Sequence, residues 1–356
     1  MLGFVKIPNF VSYLEMMGLI SALVIAHEFG HFTVAKKVGV KVERFGFGLP
    51  IGPTLFEKQI GETTFCIHPV LLGGYVSFPD DDPDSTIPKD SPRRFENRSI
   101  PERTAIAIAG VVVNFIMGYL LMVLVLSAWG YPSNLTGIQQ VLSPTAPAAQ
   151  AGLMAGDVFL KVGTTAIEGP ETLINTFAQY KQKPVEIEIR RNKVHQTLTV
   201  TPNAKGKIDV ALKPILSYIP LKSPVEVLSK SYTYLAEKMV LNFHAVGEIF
   251  TGKRSIKELS GPVGIIGEGG RMIQSQGLPV GLIITALISV ILAIMNILPV
   301  PMLDGGHLLF MAIELIQGHP LKKEIQEKVV QGSFVVLMCL MVFILWNDIN
   351  THILGK

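Results

Sequence analysis

The sequence predicts a polytopic α-helical membrane protein. Four transmembrane helices are expected, with a membrane-associated β-hairpin region between the first two and one α+β domain inserted between the second and third. Two observations carry this. Of 356 residues, 49% are hydrophobic and only 17% charged, against about 25% charge in an ordinary soluble domain. Residues 16–35, 104–130, 280–303 and 329–347 form four apolar stretches, each approaching the roughly 20 residues that cross about 30 Å of hydrocarbon as a helix.

The first stretch is apolar except for "HEFGH", which brings His27, Glu28 and His31 into it. It lacks a small-residue cleavage site, so it is expected to be a retained span rather than a signal peptide. Basic residues set the orientation. Lys36, Lys37, Lys41 and Arg44 follow the first span, Arg93, Arg94, Arg98 and Arg103 precede the second, and Lys322, Lys323 and Lys328 lie between the third and fourth. The positive-inside rule puts these loops in the cytoplasm, and both termini and residues 131–279 on the far side. A net charge of +3, with no basic cluster interleaved with aromatics, argues against a nucleic-acid partner. Cys66, expected in a polar loop, and Cys339, in the last span, suggest neither a disulfide nor thiol redox chemistry.

Residues 55–78 read as short strands around turns at Gly61 and at Gly73-Gly74, and the acidic, proline-rich segment 79–92 reads as a mobile surface loop. Beyond the second span, "GDVFLKVG" is a strand, residues 171–179 a short helix, and residues 185–200 a hairpin of period two with Asn192-Lys193 near its turn. "AQAGLMAGDVFLKVGTTAI" resembles the core of a PDZ domain, and residues 134–214 have room for one copy. Such a domain would bind an extended peptide or a peptide C-terminus by strand addition; a spacer without a ligand is the alternative. Residues 223–250 interleave apolar side chains with Glu and Lys, as in a helix lying along the membrane surface. The expected division is therefore 1–130 (spans one and two), 134–214 (the α+β domain), 223–278 (membrane-surface and linker helices) and 279–356 (spans three and four).

Chemistry centres on the first span. On a helix, His27 and His31 lie about 40° apart in azimuth and roughly 6 Å apart along the axis, so both imidazoles can reach one metal ion. Glu28, on the flank of that face, is placed to take a proton from water without binding the metal, the pattern of zinc hydrolases. A charged group at mid-membrane costs roughly 2.5–3.5 kcal/mol, so ionisable residues there are functional by default. The site lies about 13 Å inside the cytoplasmic boundary, nine residues before Lys36. A catalytic zinc takes three protein ligands. Val34 and Lys37 occupy the positions where some soluble enzymes supply the third. "NILPVPMLDGGHLL", residues 296–309, offers Asp304 after a helix broken by Pro299 and Pro301. Asp304 could instead cap the following helix; His307 and Glu314 are weaker ligand candidates.

In order along the chain, "HEFGHF", "LLGGYV", the PDZ-like insert, "SGPVGI" and "NILPVPMLDGGH" resemble the site-2 protease family of intramembrane zinc metalloproteases. The resemblance implies Zn2+ on His27, His31 and Asp304, Glu28 as general base, and Asn296, Pro299 and Pro301 helping to hold the substrate strand. It also implies a bacterial inner-membrane protein acting on single-pass membrane proteins, such as an anti-sigma factor already trimmed outside the membrane or a signal-peptide remnant. A substrate helix must unwind before cleavage, and "LLGGYVSF", with Gly73 and Gly74, is a plausible strand edge to receive it; a structural hairpin covering the site is the alternative. The best-known members carry two PDZ domains in tandem, whereas this chain has room for one. Two rival readings are a membrane receptor with a structural zinc and a zinc transporter. A structural site has no use for the unliganded Glu28, and a transport path would need further His or Asp ligands that spans two and four lack.

Overall fold

The computed structural model describes residues 10–350 apart from 83, 193 and 256–259. Both chain termini and Lys193, for which the sequence carries expectations, lie outside the described residues.

Four helices among the described residues are long and apolar enough to cross a membrane: α1 (Phe10–Lys37), α2 (Ile100–Ala128), α7 (Leu278–Ile297) and α9 (Lys323–Asp348). Each extends or trims the apolar stretch read from the sequence by a few residues. Helix α7 ends because Leu298, extended at φ −62° and ψ 143°, precedes Pro299, and a residue before proline is pushed away from helical geometry. The chain then turns and starts α8 (Asp304–Gln317). Gly305 and Gly306 permit that tight restart. An added Cβ at Gly305 would lie 2.1 Å from the Leu298 carbonyl oxygen, and one at Gly306 2.5 Å from Pro301 Cα.

Between α1 and α2 the expected hairpin around Gly61 is present, as two strands of a larger four-stranded sheet. Its strands are β1 (Arg44–Leu49), β2 (Phe56–Ile60), β3 (Thr63–Ile67) and β4 (Val70–Ser77), in the order β2-β3-β1-β4. Strand β1, "RFGFGL", is poor in strand-favouring residues because of its glycines, and this hid it from the sequence reading. Gly46 pairs with Tyr75, and a Cβ there would sit 2.0 Å from the tyrosine ring, so the glycine makes room for an aromatic crossing the strand. Gly73 and Gly74 lie within β4 and form no turn, although the pairing with β1 shifts register beside them. Cys66 is likewise buried in β3 rather than placed in a loop.

Strand β4 follows α1 from mid-span outward. Ser21 Oγ donates to the Leu71 carbonyl at 2.7 Å. Beyond the site, Val76 and Phe78 join Ala35, Val40, Val42 and Ile106 in a small core. Ile51, Leu55, Phe56 and Ile60, around the far end of the sheet, are more than half exposed, as suits contact with lipid. The acidic segment 79–92 is pinned around Arg94, whose guanidinium donates to the carbonyls of Pro79, Ile87 and Pro88.

Helices α5 (Pro224–Phe250) and α6 (Pro262–Gln276) follow the inserted module, and α6 packs on α1, α7 and α9. The contact is close: a Cβ on Gly269 would lie 2.8 Å from Met16.

The module itself, residues 126–226, is a separate compact unit. Its sheet contains β5 (Tyr131–Val141), β6 (Val158–Val162), β8 (Val185–Arg191), β9 (Val194–Val200) and β10 (Val210–Ile219), ordered β10-β5-β6-β8-β9, with the short β7 (Thr165–Ala166) on β6. Helices α3 (Pro147–Gln150) and α4 (Pro170–Phe177) close a core built on Ile138, Phe159, Leu173, Ile187 and Ile189. Asn192, at φ 50°, takes the left-handed conformation a tight hairpin needs and asparagine tolerates.

Candidate active site

The site forms where α1, α2 and the start of α8 converge. Gly30 lets α2 approach, because a Cβ there would stand 2.7 Å from the Ala109 carbonyl oxygen; one on Gly110 would lie 2.4 Å from His31 Nε2 and 2.6 Å from His27 Cε1. Both imidazoles therefore rest on a bare patch of the α2 backbone. Small residues of this kind are what lets membrane helices pack closely.

His27, His31 and Asp304 come together. The two Nε2 atoms are 3.2 Å apart, His27 Nε2 is 3.3 Å from Asp304 Oδ2, and His31 Nε2 is 3.5 Å from Asp304 Oδ1. A tetrahedral ion with bonds of about 2.0–2.2 Å requires its ligand atoms to stand roughly 3.3–3.6 Å apart. The closest approaches, to Oδ2 from His27 and to Oδ1 from His31, lie near that range, and two imidazoles with a carboxylate are a donor set that suits zinc. Asp304 Oδ2 is buried and has no hydrogen-bond partner, which is unusual for a buried carboxylate oxygen and sensible for a metal ligand. Asp304 is not a helix cap: Leu303 holds the cap position of α8, and no side chain caps it.

Contacts behind the donors fix their orientation. His31 Nδ1 lies 2.8 Å from the Ile106 carbonyl, which can only accept, so Nδ1 carries the proton and Nε2 turns its lone pair to the cluster. Glu28 stays outside the donor set. Its Cγ would be 3.0 Å from a Cβ on Gly74, and the Val76 main chain lies near its carboxylate, so β4 flanks the acid. Asn296 Nδ2 lies 3.4 Å from His27 Nε2. Pro301 backs Gly306, and Pro299 is exposed. The weaker ligand candidates are engaged elsewhere: Glu314 accepts from Arg103 at 2.6 Å, and His307 faces the Phe95 ring.

Two cavities meet at Glu28 and Asp304. One, of about 730 Å³, is lined by His31, Phe78, Asp81, Phe95, Arg103 and His307, among others, and runs toward the loops rich in basic residues. Within it, burial pushes the Asp81 carboxyl up, partly offset by the Phe78 N–H that donates to it. The other, of about 250 Å³, is lined by Val24, His27, Asn114, Leu292, Asn296 and Met302.

Asn114 is the member of this site that the sequence reading missed. It is 1% exposed, and its Nδ2 lies 3.1 Å from His27 Nδ1. A search of the second span for charged groups passes over it. The usable signal is a carboxamide one helical turn after Gly110 in an otherwise apolar run.

Two imidazoles, a carboxylate ligand set and a separate acid on a membrane helix define a metallopeptidase. The sequence comparisons agree: the chain belongs to peptidase family M50, whose family model matches residues 16–340. It is 34% identical over 354 residues to a candidate zinc metalloprotease of Nostoc sp., covering 95% of this chain and 96% of that one. It is 26% identical over 428 aligned positions to the zinc metalloprotease RasP of Geobacillus kaustophilus, with 98% and 99% covered. To the chloroplastic membrane metalloprotease ARASP of Arabidopsis thaliana it is 28% identical over 365 positions, with 97% and 80% covered.

Proposed function

We propose that this membrane zinc metalloprotease hydrolyses a peptide bond within the transmembrane segment of single-pass membrane proteins, in the manner of the bacterial regulator-of-sigma-E protease. His27, His31 and Asp304 hold the zinc. When bound, the ion supplies a Lewis acid for the scissile carbonyl and lowers the pKa of water. Glu28 takes the proton from the attacking water and passes it to the leaving nitrogen. The observation that carries this reading is the set of donor spacings of 3.2, 3.3 and 3.5 Å beside an acid that binds none of them.

A substrate strand has a receptor in β4. Among the described residues β4 pairs only with β1, leaving its second edge open beside Glu28. An unpaired edge at membrane depth costs several kcal/mol per unsatisfied group, and an unwound substrate segment has the same deficit. Pairing the two satisfies both, with Gly73 and Gly74 allowing close approach and Asn296, Pro299 and Pro301 bordering the strand. The larger cavity, lined by charged as well as apolar side chains and facing the basic loops, admits water; the smaller accommodates a substrate side chain.

The distribution of basic residues supports a multi-pass protein of the bacterial inner membrane, with both termini and the inserted module periplasmic and the site toward the cytoplasm. The inserted module is read as a PDZ-like domain that takes a peptide C-terminus. Its ligand class suits substrates already cut outside the membrane, of the anti-sigma-factor or signal-peptide-remnant type, and links the enzyme to envelope stress signalling. Binding of a peptide with a free C-terminus but not of its amidated twin is the expected result for that module.

The deciding experiment uses the purified full chain in detergent with single-pass peptides. Glu28→Gln is expected to lower cleavage at least about 10²-fold, the scale of a lost general base, while zinc content stays at the wild-type level. Unchanged cleavage by that variant removes Glu28 from its role.

A further inference from the structure

We infer that Asn114 is a positioning residue for the metal: its side-chain oxygen accepts from His27 Nδ1–H and so fixes the tautomer whose Nε2 lone pair faces the donor cluster. The inference rests on the proposed zinc site and concerns a residue outside its ligand set.

Three observations support it. Asn114 is 1% exposed and its Nδ2 sits 3.1 Å from His27 Nδ1. Its Oδ1 is buried with no hydrogen-bond partner. Its backbone is anchored, with the Ser289 hydroxyl of α7 donating to the Asn114 carbonyl at 2.8 Å. A neutral imidazole has one N–H and one lone pair. If Asn114 presents N–H2 to Nδ1, the His27 proton must sit on Nε2, 3.2 Å from His31 Nε2 and 3.3 Å from Asp304 Oδ2. That proton occupies the place a cation needs. A carboxamide is nearly the same shape after its oxygen and nitrogen exchange. Half a turn about Cβ–Cγ puts Oδ1 on Nδ1–H and frees Nε2. His31 already has the matching arrangement through the Ile106 carbonyl. Each histidine is then oriented by α2, one through a main-chain oxygen and the other through a side chain. Metal-ligating histidines almost always donate their second N–H to such an acceptor, and removing it typically costs 10–100-fold in metal affinity or activity.

The test is zinc retention by the full chain during titration with a competing chelator. Asn114→Leu, which offers no acceptor, is expected to bind zinc 10–100-fold more weakly. Asn114→Asp, whose carboxylate can only accept, is expected to stay within a few-fold of wild type. Cleavage by Asn114→Leu should recover at saturating zinc, as it would not if Asn114 touched the substrate's reacting atoms. Asn114→Ala replaces the leucine variant if that one does not fold. Ser289→Ala loosens the same helix pair but keeps the carboxamide, and should leave affinity unchanged. Wild-type affinity in the leucine variant, equal losses in the leucine and aspartate variants, or a matching loss in Ser289→Ala overturns the inference. A wild-type protein that binds no zinc overturns the metal site instead.

Discussion

Two aspartates, one in each compact unit, the first buried and the second half-buried, show opposite uses of the same side chain. In the inserted module Asp157 is 0% exposed and fully answered. Arg191 donates to both carboxylate oxygens, at 2.7 and 2.6 Å, and the Met154 N–H adds a third bond at 2.8 Å. The same guanidinium bonds the Gly152 carbonyl, so the pair clamps the loop that the "AGLMAGD" sequence builds. Asp304, by contrast, keeps a buried oxygen without any hydrogen bond and faces two imidazoles. A buried carboxylate that the fold satisfies contributes structure. One whose only polar neighbours are two imidazoles is placed to share a ligand with them.

The comparison breaks most sharply if the two sites respond alike to mutation. Asp304→Ala is expected to abolish zinc retention and cleavage together, while the chelated protein changes stability by no more than about 1 kcal/mol, because Asp304 faces only the two imidazoles and ties no other part of the fold. Arg191→Leu should do the reverse. It strands a buried charge and so destabilises the inserted module by about 3–5 kcal/mol, with zinc content unaltered. Thermal unfolding with and without chelator, read beside metal analysis, checks both. Zinc at about 100 times its dissociation constant should stabilise the wild-type site by about 2.7 kcal/mol, and Asp304→Ala should lose that increment while Arg191→Leu keeps it. An Asp304→Ala protein that unfolds with chelator present would make this aspartate structural after all.

Gly110 gives a sharper and smaller probe. Alanine there places a methyl 2.4 Å from His31 Nε2 and 2.6 Å from His27 Cε1, so the imidazoles must shift by several tenths of an ångström. Weaker zinc retention and slower cleavage, with near-normal stability of the inserted module, are expected.

These cases also show what a sequence discloses. The spans and "HEFGH" were legible because hydropathy and helical periodicity are local properties of a run of residues. Asp304 was legible only as an ionisable group in an apolar place, with helix capping as a rival that the backbone has now excluded. Strand β1 was not, because Gly46 serves a cross-strand contact with Tyr75 and Gly48 a close approach to the His68 and Val70 carbonyls, rather than a local preference. Asn114 was missed for a related reason: a neutral amide looks incidental until its partner is known. The acidic segment 79–92 looked like a mobile surface loop because the residue that organises it, Arg94, lies just beyond it in the chain and acts through the side chain.

The smallest expected effect belongs to a third acid, which tests whether satisfaction by the backbone suffices to make a carboxylate structural. Asp348, at the end of α9, is 1% exposed. It accepts from the Gly261 N–H at 3.0 Å and the Gly264 N–H at 2.8 Å, serving the start of α6 as a cap supplied by another helix. Gly261 has no room for a side chain, since a Cβ would stand 2.5 Å from Ile344 and 2.8 Å from Asp348. This gives "SGPVGI" a physical meaning. Asparagine at 348 keeps one acceptor but loses the charge and one bond to the helix N-terminus. A loss of about 1–2 kcal/mol is expected from a charge-assisted bond and the helix dipole together. Zinc affinity should stay unchanged, since Asp348 touches no ligand. A melting temperature equal to wild type would mean that the two glycine N–H groups find other partners. A fall in zinc affinity would instead mean that the α6–α9 tie sets the geometry of α1, on which α6 packs.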